Sequence, residues 1–185
     1  PLFHDETRTE HHGMEHFAKP VPPGTDTRVA IARHPIHPML IHFPVAALLG
    51  LIATDLAYVL TTDPFWARAS LWLAGVGALG GWVSGSAGLI DLMAVPRIRR
   101  LVTAWCHALL AVMLLSLASL NWLLRYGDAA GQILPWGLYL SLLTGGLIGL
   151  TSYLGGRLVY DFAVGVDQEE ANAPPMRPSR VTTRN

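Results

Sequence analysis

The chain has 185 residues, 51% hydrophobic and 14% charged, where a soluble domain carries about 25% charged residues. Residues 34–156 hold only nine of the charges, too few to coat a water-soluble globule. The zero net charge argues against a nucleic-acid partner held through its phosphates, and the single cysteine, Cys106, excludes a disulfide framework, a CxxC pair and a c-type haem attachment site.

Residues 1–33 mix acids, prolines and the histidines His4, His11, His12 and His16, which read as solvated side chains in an extended or disordered arm. No apolar signal-peptide core stands there, so the first span is expected to act as its own insertion signal. Next comes His34-Pro35-Ile36-His37-Pro38-Met39-Leu40-Ile41-His42-Phe43-Pro44, at the start of a long apolar run. Pro35 or Pro38 suits a first helical turn, where a missing N–H costs little. Pro44 lies deeper and predicts a kink that frees the Leu40 carbonyl.

Four segments exceed the ~20 apolar residues that cross a hydrocarbon core. They are predicted as helices over about 38–60, 69–91, 101–124 and 134–158, because backbone polar groups in lipid must be satisfied within the segment. Short links imply antiparallel neighbours, so the predicted fold is an all-α, four-helix transmembrane bundle occupying residues 34–166. Span two carries Gly77, Gly81 and Gly85 four apart; span four carries Gly145, Gly149, Ser152 and Gly156 on one stripe. Such stripes either let helices approach closely or leave a slot for a flat cofactor, and spacing does not separate the two. Residues 167–185 read as a flexible tail.

Basic residues set orientation. Arg28 and Arg33 precede span one, Arg97, Arg99 and Arg100 fill the 2–3 link, and Arg157 ends span four, while the other links hold Arg68 and Arg125. Both termini are therefore expected in the cytoplasm.

His107 lies six residues into span three, and at ~1.5 Å per residue it reaches the depth of His42. The same layer is expected to hold Asp91 from span two and Arg157, Tyr160 and Asp161 from span four; His34 and His37 stand one turn apart, with His42 just beyond them. An ionisable group inside a span is a functional candidate by default. The plainer reading is that His37 and His42 satisfy the backbone opened by Pro38 and Pro44, and that His34 bonds a carbonyl or a headgroup. The sharper one is that His37, His42 and His107 are metal ligands, above all axial ligands of haem iron. Gly81 and Gly85 would then line the ring, and Arg157 or Arg33 would pair with its propionates. Structural zinc normally takes four close ligands. Further out, Asp55 and Asn121 are expected to hydrogen-bond across helices, with a proton or cation path as the alternative.

The run His34–Pro44 resembles the opening motif of a bacterial membrane family catalogued as domain of unknown function 2231. Gly81-x-x-x-Gly85-x-x-Gly88-x-x-Asp91 resembles its glycine-rich second helix, Trp105-Cys106-His107 its third-helix histidine, and Asn121 a later asparagine. Gly155-Gly156-Arg157-Leu158-Val159-Tyr160-Asp161-Phe162-Ala163-Val164-Gly165-Val166 resembles its closing motif. In that motif a histidine commonly stands where this chain has Phe162, which implies a lost ligand or two sites merged into one. Members are often fused to, or encoded beside, Rieske or cytochrome-type redox proteins, an association that implies electron transfer.

The resulting expectation is a multi-pass protein of the bacterial inner membrane, not an enzyme on its own, that binds one or two b-type haems. It would pass electrons within a larger redox complex, with quinone as a further partner. A non-catalytic anchor or assembly subunit, and a proton or metal-ion carrier, are the alternatives.

Overall fold

The computed structural model describes residues 24–25, 27–31 and 34–166. The histidines of the N-terminal arm, Arg33 and the C-terminal tail lie outside the described residues. A short antiparallel ribbon, β1 (Ala30–Ile31) with β2 (His34–Pro35), leads into α1 (Ile36–Thr61). Then follow α2 (Pro64–Ala94), a single turn α3 (Pro96–Arg99), α4 (Val102–Arg125) and α5 (Leu138–Tyr160). Helices α1, α2 and α4, and α5 with the turn that precedes it, are each long and apolar enough to cross a membrane. The four predicted spans are therefore found, with ends that differ by a few residues.

Local chemistry explains those ends. Thr62 adopts a left-handed backbone, with its N–H on the Tyr58 carbonyl, and stops α1. Asp63 then caps α2 by accepting the Phe65 N–H, with Pro64 in the first turn where no N–H is needed. α1 runs as one helix through Pro44, whose buried ring packs on Gly80.

α1 packs against α2 and α5, and α4 packs against the same two. α1 and α4 therefore stand on one diagonal and α2 and α5 on the other. We call the end where α1 begins and α2 and α5 finish the proximal end, and the other the distal end. Burial is inverted relative to a water-soluble bundle. Phe43 and Trp72 are 73% and 74% exposed on the outside, as a lipid-facing surface requires. Inside, Ala74, Ala78 and Ala118 pack with Leu48, Leu51, Leu114, Leu115, Leu147 and Ile148.

The glycines of α2 are filled by neighbouring side chains. A Cβ on Gly77 would strike Leu48, and one on Gly81 would strike Leu115, whose side chain also reaches Gly85. The stripe thus serves close helix approach, and Leu115 occupies the space that a cofactor slot at Gly81 and Gly85 would need. Gly81→Ala is expected to destabilise the bundle by about 1–3 kcal/mol, the usual cost of overpacking. Trimming the obstacle in Gly81→Ala/Leu115→Ala should remove the clash, so thermal unfolding in detergent should show the two changes coupled; simple additivity would refute this account.

Candidate functional site: a diagonal histidine pair

His37 stands at the start of α1 and His107 in the second turn of α4, on opposite corners of the bundle, and both turn inward. Their ring centres are 6.3 Å apart and their planes nearly perpendicular, at 88°. His37 Nδ1 lies 2.8 Å from the Ser84 carbonyl on α2, and His107 Nδ1 lies 3.0 Å from the Thr151 carbonyl on α5. A carbonyl only accepts, so Nδ1 carries the proton in both rings and, in neutral imidazoles, Nε2 keeps the lone pair. Gly88 and Gly155 make room for the rings: a Cβ on either would sit 3.1–3.2 Å from imidazole atoms. One diagonal supplies the imidazoles and the other supplies their acceptors.

His42 does not join the pair. Five residues beyond His37 it is turned about 140° around the helix, and it is exposed. His34 lies in β2, outside the bundle. The other expected members of the layer are also elsewhere. Arg157 Nε donates to Asp161 Oδ2 at 2.8 Å in an exposed pair four residues apart, and Tyr160 is 86% exposed.

Asp91 works on the chain itself. Its buried Oδ1 accepts the backbone N–H groups of Arg28 and Val29 at 2.7 and 2.9 Å. The Val29 carbonyl in turn accepts the Ile36 N–H at 2.9 Å, one residue before His37. Thr25 exchanges backbone hydrogen bonds with Ala163 and Gly165 beyond α5. Residues 24–25 and 27–31, expected in the arm, thus form a strap across the proximal end that fixes where α1 starts. Asp91→Ala removes charge-assisted bonds worth about 1.5–3 kcal/mol each. Amide exchange at Val29 and Ile36 should then quicken roughly ten- to a hundredfold, and unchanged exchange would contradict the assignment.

The distal end holds a second polar cluster. Arg125 closes α4 and, like Asp55, is 0% exposed. Its Nη1 and Nη2 donate to Asp55 Oδ1 and Oδ2 at 2.6 and 2.8 Å, and its Nε to Asn121 Oδ1 at 2.8 Å. Ser70 of α2 and Ser141 of α5 also donate to Asp55, at 2.7 and 2.6 Å. The expected direct Asp55–Asn121 bond is replaced by a bridge through Arg125, which is the last residue of α4 rather than part of a link. An apolar layer separates the two clusters on every helix: Leu48 and Leu51, Ala74 and Ala78, Leu114 and Leu115, Leu147 and Ile148. That layer argues against a polar path from Asp55 to the histidines.

The pair's donor set selects among metals. Among the described residues no three histidine, cysteine or acidic side chains gather as metal ligands, so a zinc cage is not formed there. Two imidazoles suit a metal that brings its own equatorial donors, as haem iron does. As neutral donors through Nε2, the two imidazoles fit that role.

A family model described as "Predicted membrane protein (DUF2231)" matches residues 33–168. The chain matches no curated protein and no solved structure.

Proposed function

The chain belongs to the DUF2231 family of predicted membrane proteins, and from that premise we propose that it is an integral-membrane, b-type cytochrome-like electron-transfer subunit. The observation that carries this reading is the diagonal His37–His107 pair, with each Nδ1 held by a backbone carbonyl. His37 and His107 would hold the iron through Nε2. The Ser84 and Thr151 carbonyls fix the tautomer and ring orientation and raise ligand basicity, as outer partners of metal-bound histidines do. The haem, when bound, supplies the one-electron couple. The apolar layer on the distal side of the pair keeps water from reaching it from that side.

The protein sits in the bacterial inner membrane with the proximal end in the cytoplasm. Burial of Arg125 leaves Arg68 as the basic residue at the distal links, against Arg97, Arg99 and Arg100 at the proximal one, which sharpens the positive-inside bias. Its electron partners are other redox subunits or a membrane quinone.

The test is a visible spectrum of the detergent-purified protein, oxidised and then dithionite-reduced. A sharp Soret band and a narrow α band on reduction are expected. A colourless protein, folded and expressed with ample haem, would overturn the reading in favour of an anchor subunit whose histidines serve packing.

A further inference from the structure

At the proximal end an open groove of about 340 Å³ runs between the strap and the α2–α3 junction. Gly24, Thr25, Thr27 and Arg28 form one wall, and Ala94, Val95, Pro96 and Arg97 the other. We propose that this groove binds a phosphate group, carried by a lipid headgroup or by a free phosphate anion.

Three observations converge on it. Arg28 and Arg97 line opposite walls, and Arg97 Nη1 also donates to the Gly24 carbonyl at 3.3 Å, which ties the guanidinium to the strap. Arginine presents several donors in a rigid fork suited to phosphate. Thr25 is only 5% exposed, and its Oγ1 is buried with no hydrogen-bond partner. A buried hydroxyl without a partner is costly, and a phosphate oxygen would accept its proton. The charge balance also favours an anion. Residues 24–31 and 91–100 carry Arg28, Arg97, Arg99 and Arg100 against Asp26 and Asp91, and Asp91 is committed to the strap's backbone N–H groups.

Native mass spectrometry in detergent with added phosphatidylglycerol tests the lipid source, and thermal unfolding with added inorganic phosphate tests the free one. The wild-type protein should retain one phosphatidylglycerol, or gain thermal stability with phosphate. Arg28→Gln/Arg97→Gln should weaken either response at least tenfold. Thr25→Val, which keeps the backbone bonds to Ala163 and Gly165, should weaken it severalfold. A response to phosphatidylglycerol alone assigns the site to lipid, and one to inorganic phosphate assigns it to a free anion. Responses equal in wild type and Thr25→Val, or absent for both probes, overturn the proposal. If the double arginine variant loses its helical circular dichroism, the threonine variant decides.

Discussion

Arg125→Leu should be among the most destabilising single substitutions in this chain, by about 3–5 kcal/mol, the cost of leaving one buried charge without its partner. Asp55 would remain at 0% exposure with the hydroxyls of Ser70 and Ser141 but no cation. Asp55→Leu should cost a similar amount, because the guanidinium would then stand unpaired beside Asn121. The double variant Asp55→Leu/Arg125→Leu should recover a large part of the loss, since apolar replacement of a whole buried pair is often neutral. Unfolding in detergent of the two single variants and the double one closes the cycle. A coupling below about 0.6 kcal/mol, the average for interhelical hydrogen bonds in a membrane bundle, would mean that the pair contributes no more than an ordinary polar contact. The pair also joins α1 to α4 across the diagonal that His37 and His107 share, so its loss should loosen the geometry of both ends.

The second large effect follows from the proposed haem ligation and concerns the histidines taken one at a time. His37→Ala and His107→Ala should each abolish the low-spin spectrum, whereas His42→Ala should leave it unchanged, because His42 is on the exposed face of α1. Gly88→Leu and Gly155→Leu should disturb the spectrum while leaving both ligands in place, since side chains there would push on the imidazoles. A structural role for the histidines predicts the opposite pattern: lower stability in His37→Ala and His107→Ala, with no optical signal to lose. Persistence of an intact low-spin spectrum in His107→Ala would remove His107 from the ligand set.

How far the sequence leads differs between fold and site. The spans were legible because lipid imposes a length and an apolar composition that no packing detail alters. His37 and His107 were both legible as candidates, as polar side chains in apolar runs. His42 was equally visible and is placed elsewhere, because depth along a helix is read from residue count whereas the direction of a side chain depends on how the helix is rotated against its neighbours. Arg125 is hard to place from sequence for a related reason: as the last residue before a polar link it looks like a loop charge. Gly137 allows it in, where a Cβ would sit 2.7 Å from Arg125 Nη2. The acceptors of the two imidazoles are backbone carbonyls, which every residue has, so no side chain announced Ser84 or Thr151.

By itself, then, the sequence determined that this is a four-helix membrane protein, which groups carry its chemistry, and the basic bias of one end. Those follow from composition and from local hydrogen bonding within each helix. Only the tertiary structure decided which polar groups meet: His37 with His107, Asp55 with Arg125, and Asp91 with the strap. Each partnership joins segments far apart in the chain, and it is set by the rotation and register of helices packed on small residues, which hydrophobicity alone leaves free.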